Sequence, residues 1–281
     1  MSVIRVITFN VNGAWEDSSL AGNPNSWSKR AACNVETIQA AAADLMGFQE
    51  VEAANWDCYQ RCLRDYSAVK GNEADVAPYA ANTSIFWKTS RFELLEAGEF
   101  WLSETPDAPS GGWGVPYPMG VTWIKLRALE SGVPLLVLNT HLEDGVEGER
   151  FRVESSKLIV ERVGYLQVGG LPVVLLGDFN CNPDSQTHRI FSEAGFTDTY
   201  LAAGNRDGQD STIHLYEGEQ YSAWHHSGGA NTFWRIDWIL LRDGVQRWQT
   251  RSCRIVRDAH PPLYPSDHYP VVAELLLSGA G

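Results

Sequence analysis

Several polar side chains in this chain stand where apolar runs end. The run Pro172-Val173-Val174-Leu175-Leu176 leads into Gly177-Asp178-Phe179-Asn180. A short, continuous apolar run reads as a strand buried on both faces. If the chain stays extended, alternation puts Asp178 and Asn180 on one side. Gly177 lets another group approach the backbone closely. The stretch predicts a rigid strand that delivers a carboxylate and an amide to its open end, where α/β sheets place ligands. An Asx-turn closing a strand explains Asn180 and Pro183 equally well when the stretch is taken alone.

The pattern recurs along the chain. Asn10 and Asn12 follow Val3 to Phe9, Glu50 follows Leu45 to Gln49, and His141 ends Leu135 to Thr140. Asp237 lies inside the run Phe233 to Leu241, and Asp267-His268 precedes Tyr269 to Leu277. One such residue is a cap or a turn. Six repeats of the pattern predict a shared polar mouth able to bind a metal. The donors are hard oxygens and two histidines, with no cysteines at metal-site spacing. Carboxylate and amide oxygens suit Mg²⁺ or Mn²⁺ rather than structural zinc. A buried Asp beside a His fixes its tautomer and favours its charged form. Such a histidine and a cation together stabilise charge on a phosphoryl group.

The elements that position these residues alternate between the two hydrophobic periods. Helices are predicted over Trp27 to Ala43, Ala53 to Leu63, Glu147 to Val163 and Asp184 to Ala194. Further strands are predicted over Thr83 to Trp87 and Phe92 to Trp101 as consecutive antiparallel strands. Val121 to Leu126 and Leu135 to His141 form a second pair, and the Gly-Pro-rich loop Pro106 to Pro118 lies between the two pairs. Asp243-Gly244 is a hairpin signal. Mixed hairpins and helical crossovers predict an α/β sandwich of four layers: two mixed sheets face to face, helices outside.

Composition narrows the class. The 281 residues contain no linker, low-complexity tract or fixed-period repeat, so residues 1–281 are expected to form one domain. The net charge is −13 with no basic run, which argues against a nucleic-acid footprint. No apolar stretch reaches membrane-spanning length. The chain enters a strand at once, and its five cysteines are odd in number, so no signal peptide, reduced thiols and a cytoplasmic location are expected.

Six ordered pieces resemble the endonuclease/exonuclease/phosphatase superfamily, the deoxyribonuclease-I-like fold. They are Thr8-Phe9-Asn10, Gln49-Glu50-Val51, Asn139-Thr140-His141-Leu142, Gly177-Asp178-Phe179-Asn180, Arg235-Ile236-Asp237-Trp238 and Ser266-Asp267-His268-Tyr269-Pro270. Phe100-Trp101-Leu102-Ser103-Glu104-Thr105-Pro106 is similar to a bacterial branch whose substrates are mostly unassigned. The resemblance implies Glu50 as the main metal ligand, with Asp267 and Asn10 near it. It implies Asp178 as the residue that orients or deprotonates the attacking water, with Asn180 as its amide partner on the phosphate. It implies His268, held by Asp237, as a phosphate contact, and His141 as a second histidine near the scissile phosphate. The reaction implied is in-line attack of water on a phosphoester. Two departures stand out. Asn12 replaces an acid found in some nuclease members, which leaves it a substrate contact. Ala80-Ala81-Asn82-Thr83 lacks the Glu that supports the first histidine in many relatives.

Other residues have plainer readings. Arg30 is equally suited to reach the substrate phosphate or to pin its helix to the sheet. His225-His226 on a loop point apart and read as surface residues. Trp113, Trp224 and Trp234 read first as packing, with base or sugar stacking as the alternative. Cys181 reads as a bystander. The expected protein is a monomeric, metal-dependent phosphoesterase with no partner protein. The acidic surface and two aromatic loops, Pro106 to Pro118 and His214 to Asn231, favour a small phosphomono- or diester over nucleic acid. A sequence-nonspecific nuclease is the alternative, and a non-catalytic binding module on the same fold is a weaker one.

Overall fold

The computed structural model describes residues 3–14, 22–71, 83–145, 147–226, 233–257 and 262–278, without the side chains of His225 and His226. The chain runs β1 (Val3–Asn10), α1 (Trp27–Ala41), β2 (Leu45–Gln49), α2 (Ala53–Cys62), β3 (Tyr66–Val69) and β4 (Ser84–Lys88). It continues through β5 (Phe92–Trp101), β6 (Gly120–Ala128), β7 (Pro134–His141), α3 (Glu149–Leu166), β8 (Val173–Asp178) and α4 (Gln186–Glu193). It ends with β9 (Phe196–Asp198), α5 (Thr199–Ala202), α6 (Ala223–His226), β10 (Asp237–Arg242), β11 (Trp248–Ile255) and β12 (Val271–Leu277). One sheet has the order β11-β12-β1-β2-β4-β3 and the other β5-β6-β7-β8-β10-β9. Only the β1–β2 and β7–β8 pairings are parallel among the described strands.

Both faces of the central strands are apolar, and alternation sends their residues to different cores. Val6, Leu45, Ile85, Val137, Val174, Leu176 and Ile239 fill the space between the sheets. Ile7, Phe9, Met46, Phe48 and Phe86 turn outward to Ile38 of α1 and Tyr59 of α2. Leu136, Leu138, Val173 and Leu175 turn outward to Phe151 and Ile159 of α3 and Phe191 of α4. These three cores make the four layers. Burying each Val, Leu or Ile side chain contributes about 1.5–3 kcal/mol. No helix among the described residues is long and apolar enough to cross a membrane.

The hydrocarbon between the sheets gives way to a polar layer near one end. Gln49 Nε2 donates to Asn139 Oδ1 at 2.6 Å and to Thr8 Oγ1 at 3.1 Å. Asn139 Nδ2 donates to Phe48 O and Ser84 O, and all four side chains of Thr8, Gln49, Ser84 and Asn139 are fully buried. The bonds that involve Asn139 run between the sheets and oppose sliding of one against the other, while the Gln49–Thr8 bond lies within one sheet. Just beyond them, β1, β2, β7 and β8 end while β10 and β12 begin. That end is the mouth.

Three expectations need correction. The strands β4 and β5 are not a hairpin: β4 lies between β2 and β3, and β5 pairs with β6 in the other sheet. Likewise Asp243-Gly244 carries the chain from β10, which lies between β8 and β9, to β11 in the opposite sheet. In both cases the first strand has neighbours on both edges, so the next strand cannot pair with it. Asp237 starts β10 rather than lying within a strand from Phe233, which puts its carboxylate at the mouth.

Gly177 meets the close approach expected of it. A Cβ there would stand 2.6 Å from the Thr140 carbonyl oxygen and 2.9 Å from Thr140 Cγ2. Overpacking of this kind costs about 1–3 kcal/mol. Gly177→Ala should therefore lower the urea midpoint at unchanged m-value; an unchanged midpoint would show that β7 and β8 spread without cost.

Candidate active site

Antiparallel register places Asp237 of β10 directly opposite Asp178 of β8. Both are buried, at 1 % exposure. His268 Nδ1 lies 2.9 Å from Asp237 Oδ2, and its Nε2 lies 3.8 Å from Asp178 Oδ2. Burial alone would push this imidazole down. The Asp237 charge and hydrogen bond, with Asp178 and Asp267 beyond, instead hold it well above the ordinary 6.5. Burial raises the Asp178 carboxyl, and the Asp237 charge raises it further; His141, His268 and the Asn10 hydrogen bond oppose the rise.

Asn180 does not reach the mouth by strand alternation. The strand stops at Asp178, and Asn180 takes a left-handed φ of 50°. Its N–H donates to Asp178 Oδ1 at 3.0 Å, an Asx-turn that brings both side chains together. The Asn180 amide then donates to Leu142 O at 2.8 Å and faces His141 Nε2 at 3.1 Å. His141 Nε2 is also 3.5 Å from Asp178 Oδ2. His141 Nδ1 is buried without a hydrogen-bond partner among the described residues, and residues 80–82 lie outside them.

Asn10 joins the two sheets at the mouth. Its Nδ2 donates to Glu50 Oε1 at 2.8 Å and to Asp178 Oδ2 at 3.0 Å. Its Oδ1 accepts from the Asn12 N–H at 2.9 Å, which fixes the amide orientation. Asn10 thus turns nitrogen, not oxygen, toward the carboxylates. The Asn12 side chain donates to the Tyr216 hydroxyl at 2.9 Å. Asp267 sits beside Glu50: burial raises its carboxyl, His268 opposes this, and the Glu50 charge adds to the rise.

Of the two roles open to Arg30, the structure shows the pinning one. Arg30 is 2 % exposed. Its guanidinium donates to the carbonyls of Asn25, Val11, Pro265, Asn12 and Gly13. All five N–H donors are engaged, so none remains for a phosphate. Arg30 pins the loops after β1 and before β12 around α1. Cys181 is a bystander, its thiol pushed by burial to about 11. The side chains of His225 and His226 lie outside the described residues.

Thr212 carries no signal in the sequence, and Arg235 and Ser266 stand inside motif pieces without marking themselves as positioning residues. Thr212 Oγ1 accepts the N–H groups of Ile236 and Asp237. Ser266 Oγ donates to Asn10 O at 2.7 Å and ties the Asp267-His268 segment to β1. Buried Arg235 bonds Asp198 and Asp207, each at 2.7 Å, and stiffens the approach to Asp237. All three act through tertiary contacts between distant segments.

By distance alone, Asp178, Asp237 and His268 could hold a metal, their donor atoms lying within 4.8 Å of one another. His268 commits Nδ1 to Asp237, which leaves Nε2 as the ring nitrogen open to a cation or a phosphoryl oxygen. The donor set as a whole is hard oxygen, which fits a divalent cation of the Mg²⁺ or Mn²⁺ type.

The raised His268 value has a definite sign for stability. A group whose folded pKa lies above its unfolded value contributes fully below the unfolded value, here near 6.5. The contribution fades as pH rises through the folded value. Urea unfolding of the wild type should weaken from neutral into alkaline pH, and His268→Gln should flatten that limb. Parallel profiles for the two proteins would refute the charged pair.

The comparisons agree with this geometry. A family model described as Endonuclease/Exonuclease/phosphatase family matches residues 7–268. A Bacteroides vulgatus endonuclease/exonuclease/phosphatase structure is 26 % identical with a TM-score of 0.84, covering 99 % of this chain and 100 % of that one. A Bacteroides thetaiotaomicron mannosyl-6-phosphatase is 26 % identical with a TM-score of 0.83, covering 97 % and 99 %. A D. rerio TDP2 complexed with single strand DNA product, 16 % identical with a TM-score of 0.74 over 98 % and 100 %, shares the fold. No curated protein matches the chain. The matched model spans the mouth residues from Asn10 to His268, and the chain belongs to the endonuclease/exonuclease/phosphatase family, whose members hydrolyse phosphoester bonds.

Proposed function

We propose that the protein hydrolyses a small phosphate ester by in-line attack of water, with Mg²⁺ or Mn²⁺ as cofactor. The observation that carries this reading is the buried Asp178–Asp237–His268 arrangement, with His141 and Asn180 on its open side. Asp178 is the group that orients the water and takes its proton, and its raised carboxyl suits a base. Charged His268, held by Asp237, faces the phosphoryl oxygens. Asn180 and His141 contact the phosphate on the side of Leu142, with His141 nearer the leaving oxygen. Asn12 lines the mouth and binds the substrate. Glu50 and Asp267 would hold the cation, aligned by the Asn10 amide. When bound, such a cation neutralises charge that develops on the transferring group.

The small-ester reading draws on the acidic charge of −13 and on the mannosyl-6-phosphatase likeness. A phosphomonoester on a compact alcohol fits both. Kinetics on small phosphoesters, RNA and plasmid DNA at low salt with Mg²⁺ decide it. A polynucleotide preferred over every small ester by orders of magnitude would overturn the small-ester reading and leave the catalytic roles standing.

Two variants test those roles. Asp178→Asn should lower kcat by roughly 10²–10⁴-fold with little change in KM; near-normal turnover removes Asp178 as the base. Glu50→Gln should fold normally and weaken Mn²⁺ binding by roughly tenfold or more in calorimetric titration. Unchanged binding takes Glu50 out of the metal site.

A further inference from the structure

Seven non-glycine residues have positive φ among the described residues. A left-handed backbone is uncommon for such residues and persists where the surroundings impose it. Ala42 ends α1 as its left-handed cap. Asn12, Glu50 and Asn180 belong to the site already described. Trp113 is seated on Phe151, ring centres 5.9 Å apart. Leu215 at φ 46° and Tyr216 at φ 63° remain, and they are consecutive. Leu215 is exposed at 36 %, so burial of its side chain does not account for its backbone.

The surroundings hold this pair firmly. The N–H groups of His214 and Leu215 both donate to Asp267 O, at 2.7 and 3.2 Å. Ile213 forms a β-bridge with His268. The His214 ring stacks on Tyr269 at 4.0 Å, accepts from Gly218 N through Nδ1, and stands edge-on to Tyr216. The segment therefore grows out of the stretch that carries Asp267 and His268. Its strained turn brings the Tyr216 hydroxyl to Asn12 Nδ2. Asn12 bonds Asn10, and Asn10 touches both Glu50 and Asp178.

We propose that Tyr216, held by the strained Leu215–Tyr216 turn, is a specificity-determining residue that contacts the alcohol half of the phosphate ester. The inference rests on the small-ester reading and names the chemistry recognised. Aromatic side chains pack against C–H groups, and the Asn12 amide that Tyr216 bonds is of a type that hydrogen-bonds hydroxyls. That pairing suits a hydroxylated, sugar-type alcohol. Methyl phosphate has no alcohol half large enough to use the wall.

The test compares wild type with Tyr216→Ala and Tyr216→Phe at saturating Mg²⁺. The panel is a hexose 6-phosphate, a nucleoside 5′-monophosphate, a short oligonucleotide and methyl phosphate. The readout is kcat/KM for the ester that wild type prefers, divided by kcat/KM for methyl phosphate. Tyr216→Ala should lower this ratio about tenfold or more, chiefly through KM of the larger ester. Tyr216→Phe keeps the ring, loses the bond to Asn12 and should fall between the two. A ratio unchanged in both variants overturns the assignment, because a merely structural role depresses both substrates alike. Failure of the small-ester reading shows in the wild type alone, as preference for the oligonucleotide. That outcome removes the sugar class, and the ratio still decides whether Tyr216 reads the alcohol.

Discussion

The structure depends on how it tolerates carboxylates crowded at a buried mouth. Asp178 and Asp237 are direct cross-strand neighbours, an arrangement that like charges normally destabilise. Glu50 and Asp267 add two more acids at the same end. The opposing groups are His268 between Asp237 and Asp178, the Asn10 amide between Glu50 and Asp178, and the N–H of Asn180 on Asp178. Each supplies positive charge or an N–H donor where burial penalises the anions. The remaining excess of negative charge is what gives the site its affinity for a cation in the proposed function.

Holding these groups together requires two sheets that do not slide. Asn10 and Glu50 come from one sheet, and His141, Asp178 and Asp237 from the other. A purely hydrocarbon interface is non-directional and tolerates small shifts. The bonds of Asn139 with Gln49, Phe48 O and Ser84 O are directional, cross between the sheets and lie next to the mouth, so they favour one alignment. Arg30 does similar work outside the sheets, drawing carbonyls of two loops onto one planar group. Fully engaged, it supports the mouth from behind without entering it.

The loops beyond the strands divide into those set by packing and those held in strain. Trp113 rests on α3, and Tyr117 reaches the Glu143 carboxylate at 2.6 Å, two residues beyond His141. Leu215 and Tyr216 are held in a left-handed turn by bonds to the Asp267 segment. Rigid strands thus deliver the chemistry, and loops fastened to them shape what reaches it.

The sequence by itself determined which polar residues stand at the strand ends of the mouth and much of the layering. Strands with two apolar faces make a polar end conspicuous, so Asn10, Glu50, His141, Asp178 and His268 stand out from their neighbours. The same two-faced pattern implies helices on both sides. Local pattern does not report which edges are free. The turns after β4 and β10 therefore look like hairpins, although flanking strands already occupy both edges and the chain continues in the other sheet. It does not report register between distant segments either, and register is what sets Asp237 against Asp178 and Thr212 beneath Asp237. Arg30 shows the limit most clearly. Its charge suits a phosphate and a carbonyl cluster equally, and only the folded loops, by bringing five carbonyls within its reach, decide between them.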